Sequence, residues 1–111
     1  YVLNTQLSYD IALYNQFYEL EELQQYISKK DLGDKKLIVI GDFNCADINL
    51  KKYQLNITDI LKLDKIKLDN TYPSVLPLVP IDKCFTTNID VKNSNVVTTT
   101  NSTHFPICIE L

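Results

Sequence analysis

The chain has 111 residues, of which 45% are hydrophobic and 23% charged, and its formal net charge is −3 at pH 7. This length supports one modest hydrophobic core and excludes a second domain. The net negative charge excludes a protein that binds nucleic acid through phosphate contacts alone. The longest apolar runs, such as Leu37–Ile40, are far shorter than the ~20 residues that span a bilayer. Because the chain begins at Tyr1 and contains no Met, we expect it to be a piece of a longer protein.

Hydrophobic patterning predicts a strand, a helix and a second strand in the first third of the chain. The first strand covers Tyr1–Leu7, and the second covers Lys36–Phe43. Between them we expect a helix from about Asp10 to Ser28, capped by Ser8 or Asp10. Its predicted apolar stripe comprises Leu13, Phe17, Leu20 and Ile27, broadened by Tyr14, Tyr18 and Leu23. Such a unit favours parallel or mixed strand pairing, with the helix packed on one face of the sheet.

The rest of the chain is predicted to contain short helices, a loop and further strands. One or two short helices are expected between Cys45 and Leu68. The segment from Thr71 to Pro80 contains three prolines and is therefore predicted to be a loop. The remaining strands are predicted at Ile81–Thr87, Asn95–Thr99 and Phe105–Leu111. Strands and helices together define the fold class as α/β.

The three cysteines, Cys45, Cys84 and Cys108, lie far apart and lack the C-x-x-C spacing of zinc and redox motifs. We predict that they are buried free thiols, because unpaired cysteines behave as small hydrophobic residues. Unpaired thiols also favour a cytoplasmic location. Cys45 follows Asn44 directly, which leaves a nucleophilic role as the alternative, but a thiol nucleophile needs a nearby base.

The stretch L-I-V-I-G-D-F-N places polar side chains at the end of a buried strand. Asp42 and Asn44 are alternate residues, so extended backbone would direct both side chains to the same side. An aspartate in that position can orient or deprotonate a water molecule, and the amide of Asn44 can hold a phosphoryl oxygen. The alternative is a simple turn, because Gly, Asp and Asn are common turn residues.

Asp82 and His104 form a second candidate pair. Asp82 begins an apolar strand, where a buried carboxylate is costly unless it is hydrogen-bonded. His104 is the only histidine in the chain, and it precedes the final strand. An Asp82–His104 contact would fix the imidazole tautomer and favour its charged form. That arrangement suits general base chemistry or stabilisation of a charged phosphorane-like species.

Five ordered motifs carry a family resemblance: N-T-x-L, V-I-G-D-F-N, T-Y-P-S-x-x-P, P-I-D-K-C-F and S-T-H-F-P-I. Together they resemble the second half of the endonuclease/exonuclease/phosphatase family, which includes exonuclease III-like and DNase I-like nucleases. The resemblance covers essentially the whole chain. It implies that residues 1–111 form the C-terminal portion, about half, of a single four-layer α/β sandwich of the DNase I-like type. A mixed sheet with helices on one face is then expected, with the N-terminal half absent.

The resemblance also implies roles for individual residues. Asp42 is similar to the aspartate that activates the attacking water, and Asn44 to the amide that contacts the scissile phosphate. Asp82 is similar to the carboxylate that orients the catalytic histidine, His104. Magnesium or manganese is the implied cofactor, with Asp42 and Asn44 as weak ligands because the principal Glu ligand lies outside the chain. The residues expected to bind substrate are Asn4, Gln6 and Tyr72.

Three departures from the family pattern oppose a simple assignment. Thr103 replaces an aspartate, Gln6 replaces a histidine, and Lys83 replaces an aromatic residue or a histidine. We therefore keep two hypotheses. In the first, the full-length protein is a magnesium-dependent, nuclease-like phosphodiesterase, and this chain alone is inactive. In the second, the protein is a degenerate homologue that acts as a binding or scaffolding module. The expected partners are a phosphoester substrate, possibly nucleic acid, and the missing N-terminal half or a partner chain that covers an exposed sheet face.

Overall fold

The computed structural model describes residues 1–10, 12–74, 78–99 and 101–111. The strands are β1 (Val2–Gln6), β2 (Leu37–Asp42), β3 (Asp64–Lys65), β4 (Asp82–Thr87), β5 (Asn93–Val96) and β6 (Ile107–Glu110). The helices are α1 (Tyr14–Lys29), α2 (Asp47–Lys52) and α3 (Ile57–Leu61), with a 3₁₀ turn at Leu32–Asp34. Part of the predicted proline-rich loop, residues 75–77, lies outside the described residues.

The main sheet is mixed, as the strand–helix–strand pattern predicts. Its strand order is β1-β2-β4-β3. Strands β1 and β2 are parallel, whereas β4 runs antiparallel to both β2 and β3. Strands β5 and β6 form a separate antiparallel pair. The sequence does not predict β3, which has only two residues, and it places β5 slightly too late, at Asn95–Thr99.

Helix α1 begins later than predicted, at Tyr14 instead of about Asp10. Leu13 has a left-handed φ of 58°, so the chain turns there before the helix begins. The N-cap residue is therefore Leu13, without a side-chain cap, and not Asp10, although the carboxylate of Asp10 accepts hydrogen bonds from the backbone of Ala12 (3.1 Å) and Asn15 (3.2 Å). Ser8 does not cap the helix and instead binds Glu19.

One face of the main sheet packs against the helices. Leu37, Val39 and Phe85 on that face are fully buried. They share a hydrophobic cluster with residues from all three helices, namely Leu20, Ile27, Leu50, Ile57 and Leu61. In the predicted stripe of α1, Tyr14 and Tyr18 are exposed, and the buried position between them is taken by Gln16. The mixed sheet with its helices packed on one face therefore matches the sequence-based expectation.

The opposite face of the sheet is only partly covered. Strand alternation places Val2, Ile38 and Ile40 there, in register across β1 and β2. The side chain of Val2 is 66% exposed, and Ile38 and Ile40 are half-buried.

Among the described residues, no helix is long and apolar enough to cross a membrane.

Candidate active site

Two strand ends and one loop bring three polar side chains together. Asp42 ends β2 and Asp82 begins β4, and the antiparallel register places these two residues directly opposite each other. His104 comes from the segment that precedes β6. Each of the three offers a ligand atom, and these atoms all lie within 4.8 Å of one another. The fold thus unites three of the four predicted catalytic residues at one edge of the sheet.

The predicted Asp82–His104 pair is present. His104 Nδ1 lies 2.8 Å from Asp82 Oδ2, and the two side chains are 30% and 14% exposed. Because an ionised carboxylate can only accept, the geometry assigns the hydrogen of this bond to Nδ1. Nε2 is then left to exchange a proton with a bound molecule, as general acid–base chemistry requires.

Thr71 is a further residue of the candidate site, and the sequence-based predictions did not include it. Its side chain is fully buried, and its Oγ1 donates a hydrogen bond of 2.5 Å to Asp82 Oδ2. The same carboxylate oxygen therefore accepts from both Thr71 and His104, which fixes the orientation of Asp82. The only sequence signal was the position of Thr71 at the start of T-Y-P-S.

The T-Y-P-S loop also holds the histidine segment in place. The backbone N–H of Phe105 donates to Thr71 O, and that of Ser74 donates to Thr103 O, both at 2.8 Å. Ser74 Oγ additionally donates to Ser102 O. These contacts lie on both sides of His104. The loop therefore fixes the backbone that carries the imidazole.

Asp42 and Asn44 are arranged differently from the prediction. Extended backbone was expected to point both side chains to one side, but β2 ends at Asp42 and Asn44 has a left-handed φ of 49°. Asp42 Oδ1 accepts from the backbone N–H of Asn44 at 2.8 Å, which closes a turn. Asn44 Nδ2 donates to Leu7 O at 2.6 Å. The simple turn, which is the alternative interpretation of the Gly-Asp-Phe-Asn stretch, is therefore present beside the site.

The environment of Asp42 makes its carboxylate more basic. Burial raises its pKa above the ordinary value, the hydrogen bond from Asn44 opposes that shift, and the nearby charge of Asp82 adds to it. A carboxylate with a raised pKa is a better proton acceptor. The electrostatics thus suit the role of base that the resemblance implies for Asp42.

Three cavities are lined by His104, and two of them together contain the predicted site residues. One, of about 540 Å³, is lined by Asn4, Gln6, Asp42, Asp82 and His104 together with Thr5 and Ser102. The other, of about 420 Å³, is lined by Tyr9, Asn44, Asn49, Tyr72 and His104 together with Ala46, Val79 and Ile81. All seven predicted site residues therefore line one of two adjoining cavities. The ring of Tyr72 lies against the imidazole of His104, with centroids 4.7 Å apart.

The donor atoms fit a divalent cation only in part. Mg²⁺ prefers six oxygen ligands in octahedral geometry. Asp42 offers a carboxylate oxygen, but Asp82 Oδ2 already accepts two hydrogen bonds. Asn44 donates to Leu7 O through its amide Nδ2, so Oδ1 is the atom of Asn44 that could serve as a second, weaker ligand. Asp42 is therefore the best-placed anchor, and further oxygen ligands have to come from other groups.

The remaining predictions concern the cysteines and the replaced family positions. Cys45 is buried, and burial raises its pKa to about 11, so the nucleophilic alternative is disfavoured. Cys84 is also a buried thiol, as predicted. Cys108 is exposed, so the prediction that it is buried is wrong. Its side chain points to the outer face of β6 because it alternates with Ile107 and Ile109, which are half-buried. Thr103 is exposed.

Comparisons with known proteins reveal similar folds among solved structures. No known family model matches the sequence, and no curated protein matches it. A functionally unknown conserved protein from Enterococcus faecalis V583 matches with a TM-score of 0.75 and 16% identity, over 98% of this chain and 48% of that chain. An endonuclease/exonuclease/phosphatase family protein from Bacteroides thetaiotaomicron matches with a TM-score of 0.70 and 20% identity, over 97% and 48%. A beta toxin from Staphylococcus aureus matches with a TM-score of 0.72 and 16% identity, over 96% and 50%.

At these identities the likeness is one of fold. The chain has the fold of about half of an endonuclease/exonuclease/phosphatase family protein, which agrees with the resemblance in the sequence motifs. It spans about half the length of each of the three solved structures.

Proposed function

We propose that this chain carries the histidine-bearing part of a metal-dependent phosphoesterase site. The observation that carries the proposal is the Asp82–His104 pair, whose Nδ1–Oδ2 distance is 2.8 Å, with Asp42 beside it in the same cavity. A carboxylate that orients an imidazole, next to a second carboxylate whose pKa is raised by burial, provides two proton-transfer groups for the hydrolysis of a phosphate ester.

Each side chain has a role in the proposed reaction. Asp42 accepts a proton from the attacking water, and His104 Nε2 donates a proton or stabilises the charge on the phosphate. Asn44 uses its second amide hydrogen to contact a phosphate oxygen, since the first is bonded to Leu7. A bound Mg²⁺ or Mn²⁺, held by Asp42 and Asn44, would supply polarisation of the phosphate and stabilisation of the leaving oxygen.

The substrate contacts in this proposal come from both cavities. Asn4 and Gln6 line the cavity that contains Asp42, where their amides can bind phosphate oxygens. Tyr72 lines the second cavity and presents a ring that is 38% exposed. Aromatic rings next to a phosphate site stack nucleobases without sequence preference, so a nuclease-like phosphodiesterase is the activity that we propose.

The exposed face of the main sheet fits a partner layer of similar architecture. An apolar sheet face needs a cover, and Val2 and Ile40 on this face are not buried. The solved structures that match are about twice as long as this chain. We therefore propose that a second α/β half, from a longer chain or from a partner chain, completes a four-layer sandwich and adds the missing metal ligands.

A hydrolysis assay tests the proposed function. The protein in its natural full-length form is incubated with Mg²⁺ or Mn²⁺ and a simple aryl phosphodiester, and in parallel with DNA and RNA. We expect His104→Ala to reduce the rate about a thousandfold, the range for loss of an acid–base group. Asp42→Asn should cause a similar loss, whereas Asp34→Asn, an exposed site that precedes the opposite end of β2 from Asp42, should leave the rate unchanged.

A binding or scaffolding role is the second candidate, and two residues favour it. Gln6 and Thr103 stand where the family pattern has a histidine and an aspartate, and loss of one preorganised phosphate-binding group costs about a hundredfold in rate. If the full-length protein with either metal hydrolyses none of DNA, RNA, sphingomyelin and phosphoinositides, the scaffolding role replaces the enzymatic one.

A further inference from the structure

A separate polar cavity lies on the helix-packed face of the sheet. Its volume is about 460 Å³, and its lining includes Lys51 on α2, Lys65 on β3 and Lys83 on β4. Lys83 follows Asp82 directly in β4, and successive strand residues point to opposite faces. The lysine cavity is therefore separated from the Asp82–His104 pair by the sheet itself.

One carboxylate binds two of these lysines. Asp47 Oδ1 accepts from Lys83 Nζ at 2.9 Å, and Asp47 Oδ2 accepts from Lys65 Nζ at 2.8 Å. Lys83 also donates to Pro80 O at 2.6 Å. Asp47 is the acidic residue among the described residues that line the cavity. Positive charge is therefore in excess here, although the chain as a whole carries a net charge of −3.

The ion pair with Asp47 explains how Lys83 can be buried, but it does not explain why Lys51 and Lys65 also line the cavity. The side chain of Lys83 is 2% exposed, and a buried ammonium needs a compensating charge. Burial lowers the pKa of Lys83, and the hydrogen bond and charge of Asp47 oppose that shift. Asp47 alone is enough for this compensation. Lys65 and Lys51 add positive charge that the stability of the core does not require.

The remaining lining suits an anion with a small organic group. Thr58 and Gln54 contribute a hydroxyl and an amide, and Leu50, Leu55 and Phe85 contribute apolar surface. Lysine ammonium groups form charge-assisted hydrogen bonds to phosphate oxygens. Cavities of this size commonly hold small ligands on mostly apolar walls with a few polar groups.

From this arrangement we infer that the lysine cavity binds a small phosphate monoester, with Lys51 and Lys65 contacting the phosphate and the apolar wall contacting the organic group. The ion pair between Lys83 and Asp47 forms the fixed part of the site. This site is independent of the proposed hydrolysis, because it uses none of the residues around His104.

Calorimetric titration with phenyl phosphate at low salt tests the inference, on the His104→Ala variant so that the proposed active site does not hydrolyse the probe. We expect saturable binding, about tenfold weaker after Lys65→Gln or Lys51→Gln, in line with the loss of one charge-assisted hydrogen bond. Lys29→Gln, a matched exposed lysine at the end of α1, should bind as the parent does. Circular dichroism confirms that each variant is folded.

Three results would overturn the inference. The first is the lack of saturable binding below about 10 mM, the range of very weak affinities. The second is an equal loss of affinity in Lys29→Gln, which would show general attraction to positive charge. The third is equal affinity for phenol or acetate, which would show that the cavity does not select phosphate.

Discussion

The two polar clusters on opposite faces of the sheet use carboxylates in opposite ways. Asp42, beside the Asp82–His104 pair, has a raised pKa because burial is not matched by any cationic partner close enough to outweigh it. Asp47 is also penalised by burial, but hydrogen bonds from Lys65 and Lys83 outweigh that penalty and lower its pKa. Burial alone therefore does not show whether a carboxylate is a proton acceptor. A buried carboxylate without a strong cationic partner has a raised pKa and can act as a base, whereas one bound by lysines has a lowered pKa and is a structural anion.

The largest effect on stability is expected at Gly41, which joins the core strand to Asp42. Its φ is +154°, and a Cβ there would lie 1.8 Å from Thr5 O. Relief of that clash requires β1 to move away from β2. We expect Gly41→Ala to lower the free energy of unfolding by about 3 kcal/mol, measured by urea denaturation. Gly33, where an added Cβ meets nothing within 4 Å, provides the matched control, and equal losses for both alanine variants would contradict this account.

Asp47→Ala tests the structural carboxylate. The variant leaves Lys83 buried without its counter-charge, and we expect a loss of about 2 kcal/mol in the free energy of unfolding. This value is below that for fully buried pairs because the side chain of Asp47 is 52% exposed. The double variant Asp47→Ala/Lys83→Met should recover most of the loss. If it is no more stable than Asp47→Ala, the buried ammonium is not the cause.

Thr71→Val tests the support that Thr71 gives to the Asp82–His104 pair. The substitution keeps the shape of a fully buried side chain but removes the hydrogen bond to Asp82 Oδ2. We expect the hydrolysis rate to fall about tenfold, the effect of about 1.4 kcal/mol, with KM nearly unchanged. Thr87→Val, on the same sheet but at the far end of β4, serves as the control. An unchanged rate in Thr71→Val would show that His104 alone orients Asp82.

The smallest predicted effect is the pH dependence of stability from Asp47. Its pKa is lowered from 3.8 in the folded chain, so its contribution is fully present above pH 3.8 and is lost as the pH falls through the folded-state value. The raised pKa of Asp42 acts in the opposite direction. Asp47→Asn should therefore flatten the acid limb of the unfolding free energy measured against pH, and Asp42→Asn should steepen it. The reverse order would contradict the assigned partners.

Much of the fold was predictable because its patterns are local. The periodicity of α1, the apolar run of β2 and the spacing of the short helices each follow from neighbouring residues. The approach of Asp82 to His104 was predictable from chemistry, since a buried carboxylate and the only histidine need partners. The mixed pairing followed from the short connections of the strand–helix–strand unit.

Other features depend on contacts between distant residues and could not be read from the sequence. Thr71 binds Asp82 only because the T-Y-P-S loop folds back over the start of β4. The turn at Asn44 is stabilised by Leu7, far away in the chain. Gln16, which is not in the predicted stripe, is buried in the core because its amide lies near the carbonyl oxygens of Asp10 and Asn44, at 3.4 and 3.5 Å.

The most direct test of the proposed function is a double-mutant cycle on the Asp82–His104 pair, with hydrolysis of an aryl phosphodiester by the full-length protein as the readout. If Asp82 acts by orienting His104, the two residues form one unit and their effects are not additive. We predict that Asp82→Asn/His104→Ala is as slow as His104→Ala alone. A further loss in the double variant equal to that of Asp82→Asn by itself would contradict the account.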